Sequence, residues 1–189
     1  MLPEEFYGEH LKTLKNIQKT MFQIFEKMLE KFPGVYFSTR IKSVPSMQKK
    51  LSRRGVPVNG DSAVHAVNDA VGFRIICRWS DNIYEIAEFL KQIDELEVKR
   101  IKDYVAYPKP NGYRSYHLIV CLKKIPDINF EIQIRTVAMD LWSNIDHDTQ
   151  YKKKRKIPKY AKLLRRCADD IASLDQTILK IKKFRKFQK

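Results

Sequence analysis

Two periodicities divide this chain of 189 residues. Near its start Leu14, Ile17, Met21, Ile24 and Met28 recur at intervals of three and four, which draws one apolar stripe along a helix expected over about residues 3–31. Pro33-Gly34 stops it. The same period returns after Ile157-Pro158, in Leu164, Cys167, Ile171, Leu174, Ile178 and Ile181, and predicts a closing helix over about residues 158–186. These two stripes would pack on each other or on another subunit. Between them the spacing shortens toward the alternation of strands at about 35–39, 72–79, 97–105, 115–123 and 129–135, with helices expected at about 46–54, 82–93 and 137–151. Strands and helices mixed in this way predict an α+β fold, a small mixed β-sheet flanked by helices. Residues 124–128 are short enough to join the last two strands as an antiparallel hairpin. The length suits one packed domain over 1–189, with a core of about 35–151 between the end helices.

Hydrophobic residues at 43% and charged residues at 31% describe a folded rather than a disordered chain. No apolar run is long enough to span a membrane, and Met1-Leu2-Pro3-Glu4-Glu5 lacks the basic and apolar segments of a signal peptide. A cytoplasmic location is therefore expected. Cys77, Cys121 and Cys167 are an odd, scattered set, which argues for reduced buried thiols over a disulfide framework or a zinc cluster. The net charge of +15 is concentrated at the end: residues 151–189 hold 15 Lys and Arg against three acids. Such a basic tail either attracts a polyanion such as RNA or forms a solvated helix face.

Four segments concentrate chemistry. In Phe130-Glu131-Ile132-Gln133-Ile134-Arg135, alternation puts Glu131, Gln133 and Arg135 on one face of a strand. An outer, solvated face would read the same way. In Asp69-Ala70-Val71-Gly72-Phe73-Arg74, however, an acid and an arginine border the apolar run Ile75-Ile76-Cys77, and charges at the edge of a core strand need an opposite charge, a metal or a ligand. Asp69 and Glu131 on neighbouring strands would together suit Mg²⁺, a hard ion that uses one or two carboxylates plus substrate phosphates. The third segment runs from Tyr107 through Lys109-Pro110-Asn111-Gly112-Tyr113-Arg114-Ser115-Tyr116-His117. It combines a turn, cations for phosphates and tyrosines for stacking, which suits a nucleotide; an ordinary Pro-Asn-Gly turn is the plainer reading. The fourth is Arg40-Ile41-Lys42-Ser43 with Lys49, Lys50, Arg53 and Arg54. Ser46 is placed to cap a helix carrying Lys50 and Arg53, so the segment would cradle a triphosphate without any glycine-rich phosphate loop.

Taken in order, Arg40-Ile41-Lys42-Ser43, Asp69-x-x-Gly72-x-Arg74, Lys109-Pro110-Asn111-Gly112-Tyr113-Arg114-Ser115 with His117, and Glu131-Ile132-Gln133-Ile134-Arg135-Thr136 resemble the successive motifs of Rel/Spo alarmone synthetases. The resemblance spans about residues 35–151, and the flanking helices look like those of the short, synthetase-only members. It implies a nucleotidyltransferase-like fold and the transfer of pyrophosphate from ATP to the ribose 3′-hydroxyl of GDP or GTP, with AMP leaving.

Residue by residue, the resemblance implies that Asp69 and Glu131 bind Mg²⁺ and that Glu131 acts as, or orients, the base. Arg40, Lys42, Ser43, Lys50 and Arg74 would hold the ATP phosphates, with Arg53 or Arg54 near the adenine. Tyr113 would stack on the guanine, and Lys109, Asn111, Arg114, His117, Gln133 and Arg135 would surround the acceptor. Asp140 is a candidate acceptor for the guanine N1-H and N2-H, or else complements a helix N-terminus. A homo-oligomer, a tetramer by resemblance, is expected through the end helices. Asp146-His147 departs from the Glu-His usual at that point, and the His147-Asp148 pair, lying inside the synthetase region, carries no expectation of the hydrolase activity of long members. Two other readings keep the same residues: a toxin-like member that pyrophosphorylates the 3′ end of tRNA, and a nucleotide- or RNA-binding module without catalysis.

Overall fold

A computed structural model describes residues 1–152 and 158–187. The N-terminal stripe forms two helices, α1 (Pro3–Tyr7) and α2 (His10–Lys31), rather than the single helix expected. The break is at Gly8, whose φ of 54° is a backbone state that costs glycine little and other residues more. Breaking there lets α1 turn and bury Phe6 and Tyr7, while Leu14, Ile17, Met21, Ile24 and Met28 of α2 are all buried. Each such side chain contributes roughly 1.5–3 kcal/mol on leaving water, enough to hold α2 on the sheet.

The strands are β1 (Tyr36–Ile41), β2 (Val71–Cys77), β3 (Leu96–Asp103), β4 (Tyr116–Leu122) and β5 (Ile125–Thr136). Interleaved with them are α3 (Val44–Arg54), α4 (Gly60–His65) and α5 (Ser80–Lys91), and α6 (Val137–Lys152) and α7 (Pro158–Phe187) follow. The five strands lie in the order β1-β2-β5-β4-β3. Only β2 and β5 run parallel, so the mixed α+β sheet expected from the alternation is present. Phe25 of α2 meets Phe37 and Phe73, and Phe73 meets Phe130, so an aromatic chain ties the helix to the central strands. The apolar alternate positions, Phe73, Ile75, Ile132, Ile134, Leu118 and Val120, belong to this core. Their neighbours point to the other face, where the candidate site lies.

Three local expectations differ. Residues 125–128 belong to β5, and Leu122 pairs with Ile125, leaving Lys123-Lys124 as the turn. Pro126 is tolerated because the ladder shifts register between Val120 and Leu122, where its missing N–H costs no regular bond. Ser46 is not a cap: α3 starts earlier, with Ser43 at the N-cap position and Pro45 in the first turn, which proline favours. The third concerns α7, whose buried face includes Ala168 and Asp175, leaving Leu174 and Ile181 exposed. A buried aspartate here is satisfied by the Thr136 hydroxyl, which donates to it over 2.7 Å. Among the described residues the two end stripes pack on other elements and not on each other, α2 on β1, β2 and α4, and α7 on α5 and α6. Ile157 and the basic run 153–157 lie outside the described residues. Cys77 and Cys121 are buried, Cys167 is half-buried, and all three are free thiols. No described helix is long and apolar enough to cross a membrane.

Candidate active site

Strand register lays the polar residues out in rows. Arg40 pairs with Gly72 and Gly72 with Glu131; one step along, Ser38 pairs with Arg74, Arg74 with Gln133, Gln133 with His117, and His117 with Lys102. Because pairing partners share a face, the cations of β1 and β2 and the polar groups of β5 and β4 meet on one surface. Gly72 occupies the centre of the first row and brings no side chain. Above it a cavity of about 130 Å³ is lined by Arg40, Asp69, Gly72, Arg74, Glu131 and Gln133, among others.

On one side this cavity adjoins a cleft of about 650 Å³ lined by Arg40, Lys42, Ser43, Lys50, Arg53 and Asp69, together with Ser46, Lys49 and His147. Asp69, just before β2, gives one carboxylate oxygen to Lys42 Nζ at 3.0 Å and the other to Lys50 Nζ at 2.7 Å. Burial alone would push the Asp69 carboxyl up, but the hydrogen bond and charge of Lys50 and the charge of Lys42 outweigh it and hold it below the ordinary range. The position of Lys42 is fixed from behind, where its N–H donates to the Ala70 carbonyl and its carbonyl accepts from Tyr7 Oη at 2.6 Å.

On the other side lies a cleft of about 470 Å³, lined by Lys109, Asn111, Tyr113, His117, Glu131 and Gln133, with Lys102, Tyr104 and Asp146. Lys109 Nζ sits 4.7 Å from the Tyr104 ring and 4.9 Å from the Tyr113 ring, so the expected stacking face carries an ammonium group. Behind the rings runs a directed hydrogen-bond chain. A carboxylate only accepts, so His117 Nδ1, 2.9 Å from Glu131 Oε1, carries the proton. His117 Nε2 then accepts from Tyr113 Oη at 2.9 Å, and that oxygen accepts from Arg135 at 2.7 Å. Gln133 Nε2 donates to the second oxygen of Glu131 at 2.7 Å. Burial opposes the Glu131 charge, but the His117 hydrogen bond, the charge that ring carries once protonated, and the Gln133 amide prevail and hold its pKa to about 2. For His117 burial outweighs the hydrogen bond and charge of Glu131 and lowers its pKa, so above about pH 6.5 the pair is carboxylate and neutral imidazole.

Of the residues expected around the acceptor, Lys109, Asn111, Tyr113, His117 and Gln133 come together, while Arg114, Arg135 and Asp140 line neither cleft. Arg135 is 2% exposed and donates to Ser115, Tyr113, Gln133 and Asp140, so it buttresses the site from beneath. Asp140 is engaged by two arginines, one of its oxygens meeting Arg74 at 3.1 Å and Arg135 at 3.2 Å. Asp146 faces the cleft as a second acid beside Glu131, 3.4 Å from Asn111 Nδ2. Arg114 turns away to the Ala168 carbonyl on α7, whose Arg165 donates to the carbonyls of Lys109 and Pro110. Gly112, at φ +93°, packs so closely that a Cβ there would lie 2.5 Å from that of Ala168. Tyr104 and Lys102 were not anticipated; Lys102 was legible only from the β3–β4 register, which puts it opposite His117.

Residues 39–156 match the family model of a region found in RelA / SpoT proteins. The GTP pyrophosphokinase YwaC of Bacillus subtilis is 37% identical over 157 residues, covering 80% of this chain and 75% of that protein. Among solved structures, the small alarmone synthetase 2 from Bacillus subtilis superposes with a TM-score of 0.83 at 32% identity, over 94% of this chain and 98% of that one. The small alarmone synthetase 1 of the same organism, bound to its product pppGpp, gives a TM-score of 0.79 at 29% identity, over 95% and 96%.

Proposed function

The chain belongs to the RelA/SpoT family, and on that premise we propose how its clefts perform the reaction of a small alarmone synthetase, a GTP diphosphokinase. ATP occupies the larger cleft and GDP or GTP the smaller, and the pyrophosphoryl group passes between them through the cavity that Asp69 and Glu131 both line. The observation that carries this reading is that junction: a cationic cleft and an aromatic one opening onto a single cavity with an acid at each side.

Arg40, Lys42, Ser43, Lys50 and Arg74 bind the ATP phosphates, and Arg53 lies toward the adenine. Lys42 and Lys50 neutralise Asp69 in the absence of substrate, and incoming phosphates take over those ammonium groups. Lys109 likewise leaves the tyrosine rings for the acceptor phosphates and opens the Tyr113 face to guanine, while Asp146 accepts from N1-H and N2-H. Glu131 accepts the hydrogen bond of the 3′-hydroxyl. The hydroxyl oxygen attacks the β-phosphorus, its proton passes to Glu131, and the bond from that phosphorus to the bridging oxygen of AMP breaks. Because so acidic a carboxylate is a weak base, its contribution is orientation and charge as much as proton removal. The freed Asp69 oxygens and Glu131 suit Mg²⁺, a hard ion served by carboxylates. When bound, it would neutralise charge developing on the phosphates.

The exposed Leu141 and Ile145 of α6 and Leu163, Leu174 and Phe184 of α7 support a homo-oligomer built through these helices, a tetramer by family resemblance. A single domain in the cytoplasm completes the reading. The test is transfer of label from the γ-phosphate of ATP, with Mg²⁺ present and GDP, GTP or bulk tRNA as acceptor. Labelled guanine nucleotide with one AMP released per transfer is expected. Label on tRNA alone would replace the acceptor assignment with the tRNA-modifying reading. Absence of transfer, with nucleotide or RNA still bound, would leave a binding module.

A further inference from the structure

Away from both clefts, three metal-ligating side chains converge where α2 begins. His10 Nε2 lies 3.9 Å from Asp61 Oδ1, and His65 Nε2 lies 3.4 Å from the same oxygen. All three ligand atoms fall within 4.8 Å of one another, and the two imidazoles meet edge to face. We propose that His10, Asp61 and His65 form a site for one borderline divalent metal ion of the zinc class, with the fourth position open to water.

The fit is geometric first. Tetrahedral zinc, with bonds of about 2.0–2.1 Å, sets neighbouring ligand atoms roughly 3.3 Å apart. The Asp61–His65 pair is already at that spacing, the His10–Asp61 pair needs to close by about half an ångström, and the two ring nitrogens, within 4.8 Å of each other, draw together in the same movement. The backbones that carry the ligands are held in place. Asp61 and His65 are four residues apart on α4 and so share a face. Asn59 caps α4 by accepting from the Ser62 N–H at 2.8 Å, and Ala63 and Val64 are buried beneath it. Gly60 presses against α1 so tightly that a Cβ there would lie 2.7 Å from the Phe6 carbonyl oxygen. Beside His10, Leu11 is buried and fixes the start of α2.

The second argument concerns protons. His65 Nδ1 lies 3.4 Å from the carbonyl oxygen of Asp127, which only accepts. In the tautomer that donates Nδ1–H to this carbonyl, Nε2 presents its lone pair on the side of the Asp61 carboxylate, as a metal ligand must. A backbone carbonyl on the far nitrogen is also the usual means of orienting a metal-bound imidazole. Two imidazoles and one carboxylate suit zinc or cobalt and leave Mg²⁺, which prefers all-oxygen sites, to the catalytic cavity. An ion here would bridge α2 and α4 beside the break at Gly8. Tyr7, on the other side of that break, donates to the Lys42 carbonyl, so the clip stiffens the back of the ATP cleft without placing a group in it.

The experiment is a titration of the metal-stripped full-length chain with Co²⁺, followed by its visible ligand-field bands, and with Zn²⁺, followed by calorimetry and thermal melting. One ion per chain is expected, with cobalt displaced by zinc and a melting midpoint raised by roughly 5–10 °C when free metal is about 100 times its Kd. His10→Gln and His65→Gln should each abolish the bands and the thermal shift, while circular dichroism and pyrophosphoryl transfer in Mg²⁺ remain those of the parent. Absence of bands, bands that persist in both variants, or a sulfur-to-cobalt charge-transfer band from a cysteine thiolate would each overturn the proposal.

Discussion

The two clefts are built on different foundations. Apart from Arg74 of β2 at the junction, the cations of the ATP cleft come from one continuous stretch, from β1 into α3, whose Met47 and Leu51 are fully buried, so their geometry is a property of the core. The acceptor loop instead leans on a helix more than fifty residues away. Arg165 holds the carbonyls of Lys109 and Pro110, Arg114 reaches the Ala168 carbonyl, and Gly112 rests on Ala168 itself. That helix is docked in turn by Thr136 with Asp175, Trp142 with the Leu164 carbonyl, and Lys182 with Asp81. The comparison teaches that ATP binding should survive damage to α7 whereas acceptor binding should not. Anything that engages α7, a second subunit or a polyanion, therefore has a route to the acceptor side alone.

The largest effects should fall where the clefts join and spare neither substrate. Asp69→Asn and Glu131→Gln are each expected to lower kcat by about 10³-fold or more, with both KM values changed far less, as initial rates would show. Gly72→Val follows. Its Cβ would meet only the Glu131 carbonyl at 3.9 Å, so the strand accepts it, yet the side chain fills the floor of a cavity of about 130 Å³. Turnover should drop by about 10²-fold while the melting temperature holds or rises, because valine favours strands. A variant that unfolds instead would show that Gly72 serves the backbone and not the cavity.

The asymmetry itself is tested by smaller changes. Gly112→Ala forces a side chain into a left-handed backbone and into Ala168, a cost of about 1–3 kcal/mol. The KM for GDP should rise by about tenfold and the KM for ATP stay unchanged. Arg165→Ala removes two hydrogen bonds from the same loop and should raise the acceptor KM by about three- to tenfold. Equal changes in both KM values would remove the distinction between the clefts.

Legibility in the sequence follows the same division. Alternation alone put Glu131, Gln133 and Arg135 on one face, and the order of motifs carried the β2 and β1 residues to it. What alternation cannot tell is which of those groups are spent on the protein. Arg135 and Asp140, both expected near the acceptor, pair with each other, and only the α5–β3–β4 crossover that makes β2 and β5 parallel neighbours brings Arg74 to them. The α7 seam was read from apolar spacing, which could not foresee a buried Asp175 satisfied by Thr136. α4 has six residues and too short a period to register, and the break at Gly8 needed knowledge of what Phe6 and Tyr7 pack against.

The smallest effect separates the charged pair inside the acceptor cleft. Glu131 has its pKa lowered from 4.5 to about 2, so the stability it contributes is complete above about pH 4.5 and is lost as pH falls toward 2. The shift corresponds to no more than roughly 3 kcal/mol. His117 has its pKa lowered from 6.5 by burial, so the unfolded chain takes up its proton first and stability already falls as pH drops below about 6.5. Replacing His117 by Asn keeps an N–H donor for Glu131 but removes the titrating imidazole. Urea denaturation from pH 7 to pH 3 should therefore show the parent losing stability in two stages and His117→Asn in the lower stage alone. An unchanged upper stage in that variant would mean that His117 does not supply it, and that the imidazole is not held neutral against Glu131. Because Tyr113 donates to the same imidazole, the variant should also raise the acceptor KM and leave that for ATP alone, which ties the pH effect to one side of the site.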